Sequence, residues 1–355
     1  MDSTPRSTEP GSTACFCTIV PPHVLDRLAE AADAAVRDAA RRALALDSGH
    51  RENRLLPPRA VAPDPSGGDH PRRTVSDAHH TETLPGVVVR REGGAAVADG
   101  SVNRAYDALG ATFTFYREAY GRRSIDDAGL PLDASVHYGR DYDNAFWNGQ
   151  RMVFGDGDGQ VFNDFTVSVD VIGHELTHGV TQHTANLDYQ GQSGALNESV
   201  SDVFGSLVKQ YALQQTADQA DWLIGAGLLA SGVHGVALRS LREPGTAYDD
   251  DVLGKDPQPA TMDGYLRTSR DNGGVHINSG IPNHAFYLTA TALGGHAWEK
   301  AGRIWYDALT SGTLRPNADF AAFAAATLAA ARSRFGDGKE ADAVAKGWTQ
   351  VGVTG

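Results

Sequence analysis

Cysteine is almost missing from this chain. Its 355 residues include two, Cys15 and Cys17, both near the N-terminus. Extended neighbours two apart do not readily bridge, so no disulfide is expected to staple the fold, and the redox compartment is left open. Long apolar runs are missing as well. None approaches the length of a membrane span, and no membrane partner is expected. The opening residues MDSTPRSTEPGSTACFCTIV lack a basic stretch followed by an apolar core of roughly 7–15 residues, so no secretory signal is visible. The protein either stays in the cytoplasm or leaves by a non-standard route. Positive charge is in deficit: 31 Lys and Arg against 44 Asp and Glu give a formal net charge of -13. That balance argues against a nucleic-acid partner and favours a soluble monomer. There is no alternating βαβ period, no nucleotide-binding glycine loop and no repeat array.

What is present is ordinary in amount, 41% hydrophobic and 21% charged, and long enough for two domains. Residues 16–22, FCTIVPP, read as extended and end on two prolines. From His23 to about Asn53, Val24, Leu25, Leu28, Ala31, Ala32, Ala35, Val36 and Ala39 recur at helical spacing, giving one or two amphipathic helices. Residues 57–73 are a Pro/Gly-rich linker and a site for nicking, which makes residues 1–56 a detachable module. A mixed region spans 74–184, with strands over 84–93, 135–139 and 151–154 and a glycine-interrupted helix over 100–120. From Asp170 the pattern turns helical. Helices are expected over 170–184, 195–211, 219–232, 282–293, 297–310, 317–334 and 339–347. The fold class is α+β: a β-rich mixed half, a helical half over 185–355, and one helix between them.

That helix carries His174-Glu175-Leu176-Thr177-His178. Two histidines four apart lie on one helical face, so two imidazole nitrogens can meet one metal ion. Glu175 leaves at another angle, placed to face a water rather than the metal. A catalytic zinc takes three protein ligands. Glu198, twenty residues after His178, is the candidate third. Asp202 sits one turn further on, where it can hold the outer N–H of a ligand histidine. Like charges one turn apart repel, and a nearby cation accounts for the pair. Asn144-Ala145-Phe146-Trp147 reads either as an edge strand that pairs with an extended peptide or as a plain hairpin. Gly155-Asp156-Gly157-Asp158-Gly159 has only half of a calcium loop, since Gln160 stands at the next alternate position, and reads as a glycine-rich turn.

These motifs, with DNGGVHINSG at 271–280, resemble the thermolysin family of neutral zinc metalloproteases across most of residues 75–355. The resemblance implies a thermolysin-like two-domain fold with the cleft between the domains. It implies an endopeptidase with His174, His178 and Glu198 on a single zinc ion and Glu175 as general base. It further implies that Tyr189 and His276 bind the oxyanion, that Asp271 orients His276, and that Arg239 contacts the substrate carbonyl beyond the cut. Asn144 and Ala145 would hold the peptide backbone. Phe162, Val171 and Leu238 would line an apolar pocket for the residue after the cut. The family is typically secreted.

One departure stands out. Secreted members hold two calcium ions beside the second helix, and Asp170 matches one of their acidic ligands. Where a shared glutamate is expected, this chain has Lys209. An ammonium has no lone pair for a cation, so the double calcium site is expected to be absent, with Lys209 free to pair with Asp170. The lysine, the missing signal and the short N-terminal module resemble the protealysin-like branch. Residues 17–25, CTIVPPHVL, are similar to the start of its short propeptide. By that resemblance the first 70 or so residues are an intramolecular inhibitor, cut off in or near the linker. Cys15 and Cys17 read as small apolar residues or as a thiolate cap on the precursor's zinc. Two other readings are a zinc protein without turnover and an aminopeptidase. The full set Glu175, Tyr189, Arg239 and His276 argues against the first. The second lacks any signature for binding a free amine.

Overall fold

The computed structural model describes residues 17–52 and 68–353. Most of the expected linker falls outside them, and so does the suggested thiol cap by Cys15 or the Cys17 side chain. The described residues begin with β1 (Cys17–Thr18), then α1 (Pro22–Leu28) and α2 (Ala34–Glu52). Pro22 is the first helical residue, where a missing N–H costs nothing, so the second proline starts a helix rather than merely ending a strand. Val24, Leu25, Leu28, Val36, Ala40 and Ala43 are buried in one core with the rest of the molecule. The helical spacing over 23–53 thus resolves into two helices.

The mixed half contains β2 (Arg73–Asp77), β3 (Val87–Arg91), α3 (Gly100–Tyr120), β4 (Leu132–Val136), β5 (Ala145–Trp147) and β6 (Met152–Phe154). Its sheet has the order β1-β5-β6-β4-β2-β3. Strands β6, β4 and β2 run parallel, while β3 and β5 are antiparallel to their neighbours. Helix α3 starts at Asp99, whose carboxylate accepts from Ser101 N and Val102 N, and stops at left-handed Gly121. Gly110 does not interrupt it. A methyl there would meet the Arg73 guanidinium at 2.2 Å, so the glycine makes room for a side chain from the sheet.

Helices α4 (Val169–Gln182) and α5 (Gly191–Leu213) form the centre of the molecule. Two glycines bring them close. A Cβ on Gly205 would lie 2.5 Å from the Asp170 carbonyl, and one on Gly173 would lie 3.1 Å from Gly205 Cα. Beyond them come two short ribbons, β7 (Leu223–Ile224) with β8 (Arg239–Ser240) and β9 (Asp249–Asp250) with β10 (Gly254–Lys255). Then follow α6 (Asp271–Asn278), α7 (Gly280–Leu293), α8 (Ala301–Thr310), α9 (Phe320–Phe335) and α10 (Lys339–Gln350). The helix expected over 219–232 is not there. Gly225 and Gly227 adopt φ of 75° and 86°, and the segment folds as β7 and turns. The sheet-bearing half and the helical half meet at α4, which places the face of α4 at the base of the cleft.

Candidate active site

His174 and His178 are buried, and their Nε2 atoms are 3.0 Å apart. Glu198 on α5 places Oε2 3.6 Å from His174 Nε2 and Oε1 3.6 Å from His178 Nε2. On the far side, His174 Nδ1 is 2.8 Å from Asp202 Oδ1 and His178 Nδ1 is 2.8 Å from Asn197 Oδ1. Asn197 spends its own N–H on the Leu187 carbonyl, which fixes the oxygen towards His178. Both outer partners accept, so both Nδ1 atoms carry the proton and the two Nε2 lone pairs face each other. Two lone pairs and a carboxylate converging in a buried site fit a divalent cation. The charge states agree. Burial pulls His178 down to about 4. Burial opposes the Glu198 charge, yet His276, His178 and His174 hold its carboxyl down to about 2. Asp202 is likewise buried, and Arg239 and His174 keep it ionised. A metal site needs neutral imidazoles and ionised carboxylates.

Glu175 leaves α4 towards the sheet. Its Oε2 accepts from Trp147 N at 3.1 Å, and its buried Oε1 accepts no hydrogen bond from the described residues. Burial, and then the Glu198 charge, push its pKa well above the ordinary carboxyl value. Tyr189 Oη donates to Glu198 Oε1 and lies 3.2 Å from His276 Nε2. Asp271 grips His276 twice, at the backbone N (3.0 Å) and at Nδ1 (2.7 Å). The grip depends on a left-handed run over residues 271–274, with φ between 49° and 88°, which turns the chain back on itself. Burial works against a charged His276, but Asp271 and Glu198 raise its pKa. Arg239 on β8 meets the Asp202 carboxylate through Nε (2.9 Å) and Nη2 (2.9 Å), and Asn283 caps the same carboxylate at 2.9 Å.

The segment before the first proline lies in this cleft. Strand β1 adds antiparallel to β5, pairing Cys17 with Trp147 and Thr18 with Phe146. Ile19 N donates to the Ala145 carbonyl (3.1 Å), and Val20 N donates to Asn144 Oδ1 (2.9 Å). Arg239 Nη1 donates to the Ile19 carbonyl (3.1 Å). Of the two readings of residues 144–147, the edge strand is the one seen, with its peptide supplied by this chain. Phe162, Val171 and Leu238 are buried in the same core as Ile19 and Val20. Helix α2 adds a second hold. Asp47, buried, accepts from Tyr142 Oη (2.6 Å) and from Asn144 Nδ2 (2.9 Å). His23 on α1 reaches Tyr248 Oη (3.3 Å), and Arg27 donates to the carbonyls of Val252 and Asp251.

His174, His178, Glu198, Asp202, Tyr189, His276, Asp271 and Arg239 are thus joined by contacts around one site, with Glu175, Asn144 and Ala145 beside it, while Phe162, Val171 and Leu238 are brought no nearer than the shared core. Sequence reasoning missed Asn197, Asn283, Asp47 and His23. Asn197 had one signal, its place beside Glu198 on the same helix, while the others had none. At the other end of α4, Lys209 Nζ lies 2.6 Å from Asp170 Oδ2, 2.9 Å from Asp221 Oδ1 and 2.7 Å from the Leu223 carbonyl. The glycine-rich turn at 155–159 uses Asp158 internally, accepting from the backbone of Gln160, Val161 and Phe162.

The family model for the thermolysin metallopeptidase catalytic domain matches residues 69–182, and that for its alpha-helical domain matches residues 185–353. The chain is 53% identical to an extracellular metalloprotease of Pectobacterium carotovorum subsp. carotovorum over 340 residues, covering 95% of this chain and 96% of that one. It is 54% identical to the protease PrtS of Photorhabdus sp. (strain Az29) over 283 residues, 79% of this chain and 76% of the relative. Among solved structures, the precursor of protealysin, a metalloproteinase from Serratia proteamaculans, superposes with a TM-score of 0.88 at 54% identity. That alignment covers 95% of this chain and 100% of the other. Site geometry, family models and relatives agree, and the chain belongs to the thermolysin metallopeptidase family as a zinc metalloendopeptidase.

Proposed function

We propose that this chain is made as a latent endopeptidase precursor, with residues 1–56 as inhibitor, 57–73 as processing linker, and 74–184 and 185–355 as the two halves of the enzyme. His174, His178 and Glu198 would hold one zinc ion. When bound, it would supply Lewis acidity, polarising a carbonyl and lowering the pKa of a water. Glu175 takes a proton from the attacking water and passes it to the leaving amine. Tyr189 and His276 donate to the oxygen that gains charge, with Asp271 holding His276 in place. Asn144 and Ala145 hold the peptide backbone, and Arg239 binds the carbonyl beyond the cut. Phe162, Val171 and Leu238 receive an apolar residue there. Asp202 orients His174 and Arg239 together. The double calcium site is absent, because the Lys209 ammonium takes the place of a cation beside Asp170. Two of the relatives are named as extracellular enzymes, and export of this chain is part of the proposal.

One observation carries the reading. Ile19 makes the contacts expected of a substrate residue just after the cut: its N–H on Ala145, its carbonyl on Arg239, and the next N–H on Asn144. An inhibitory segment bound in this way excludes substrate by competition. The test compares wild type with Glu175→Ala during expression. Mass spectrometry of the N-terminus reads self-processing, and a casein assay reads turnover. Normal turnover in the Glu175→Ala protein overturns the mechanism.

A further inference from the structure

A second group of potential metal donors lies outside the cleft. His80, His137 and Asp156 place one donor atom each within 4.8 Å of one another. They come from three places in the chain, and the sheet brings them together. Strands β2, β4 and β6 are adjacent and parallel. His80 follows the end of β2, His137 the end of β4 and Asp156 the end of β6. Carboxyl ends of neighbouring parallel strands are where sheets of this kind bind ligands.

The donors are drawn together as closely as those of the catalytic group. His137 Nδ1 is 2.8 Å from Asp156 Oδ1, and His80 Nδ1 is 3.2 Å from Asp156 Oδ2. At the catalytic group both histidine-to-carboxylate separations are 3.6 Å, and the two ring nitrogens are 3.0 Å apart. The outer sphere matches too. His137 Nε2 is 2.8 Å from Asp99 Oδ2, as His174 Nδ1 is 2.8 Å from Asp202. Asp99 is itself fixed, because its Oδ1 caps α3. A carboxylate on the far nitrogen of a ligand histidine orients the ring and raises its basicity.

We propose that His80, His137 and Asp156 form a second metal site, for a divalent transition ion such as zinc or nickel, tying together the ends of β2, β4 and β6. Two imidazoles and one carboxylate suit those ions and not calcium, which takes oxygen donors. The ring of His80 is largely exposed, so an ion reaches the site from solvent. The ion's place at three strand ends makes its role structural.

Zinc titration calorimetry on the chelator-stripped full chain tests this. Wild type is expected to take up two zinc ions per chain, and His80→Ala one. Casein hydrolysis by the processed His80→Ala protein should equal wild type, since His80 lies outside the cleft. Asp99→Asn is expected to keep both ions but weaken the second by about 10–100-fold. One zinc in wild type that persists in His80→Ala overturns the second site. A second zinc that persists in His80→Ala overturns it as well. A single zinc lost with His80→Ala would uphold this site and count against the catalytic one.

Discussion

The two ends of the α4–α5 pair solve the same problem in opposite ways. Both bury carboxylates where two helices pass closely enough to need Gly173 and Gly205. At one end, Glu198 and two imidazole lone pairs converge, with His276 Nε2 3.6 Å from the same carboxylate. At the other, Lys209 supplies the cation to Asp170 and Asp221. Burial opposes the Lys209 charge, but the two aspartates raise its pKa above the ordinary lysine value. A site built for chemistry leaves its positive charge to an exchangeable ion, because substrate and water must reach that ion. A site that only holds two helices can take the charge from its own sequence. It is then independent of the ions in solution.

The largest effect separates the two ends by stability. Lys209→Met strands the buried Asp170 and is expected to cost about 3–5 kcal/mol in chemical denaturation. Neither zinc nor calcium should recover it. Full rescue by calcium would mean that the lysine displaced a working calcium site. Next, His276→Ala should lower kcat of the processed enzyme by roughly 10²–10³-fold. KM and zinc content should change little, and a loss of zinc would move His276 from the oxyanion to the metal. At the catalytic end, Asp202→Asn removes the charge from the outer partner of His174 and should weaken zinc by about 10–100-fold, read by competition with a chelator. Unchanged zinc affinity would leave Asp202 serving Arg239 alone.

The smallest effect concerns the inhibitor. Burial first, and then His276, lower the His23 pKa from 6.5 to about 4 in the docked segment, with Arg239 adding to the effect and Asp271 opposing it. Tyr248 is its hydrogen-bond partner. The undocked segment therefore binds more protons than the docked one between these values, so docking weakens as pH falls through that window. A separately added peptide covering residues 17–52 should inhibit the processed enzyme about tenfold more weakly by about pH 5.5 than at neutral pH. His23→Gln should flatten that part of the profile.

The legible part of this site was the local part. His174, Glu175, His178, Glu198 and Asp202 follow from helical spacing on two consecutive helices, and their chemistry needs no tertiary knowledge. Arg239, Tyr189 and His276 came only through resemblance, since nothing in their own neighbourhoods links them to α4. The helix expected over 219–232 failed because two glycines at positive φ outweighed its apolar content. Pairing of β5 with an extended peptide was one of two open readings, and that Ile19 and Val20 supply the peptide was not legible. Register in an added strand is set by partners over a hundred residues away, here Asn144 and Arg239. The group of His80, His137 and Asp156 was invisible for the same reason. Three parallel strand ends assemble it, and no two of its members are close in sequence.

The central claim is a zinc peptidase centre covered by its own N-terminal segment. It is tested most directly by hydrolysis of an internal peptide with both ends blocked, before and after proteolytic removal of that segment. The precursor should be inert and the processed chain active, with activity lost to a chelator and restored by zinc. A precursor as active as the processed chain, or activity indifferent to the chelator, would contradict it.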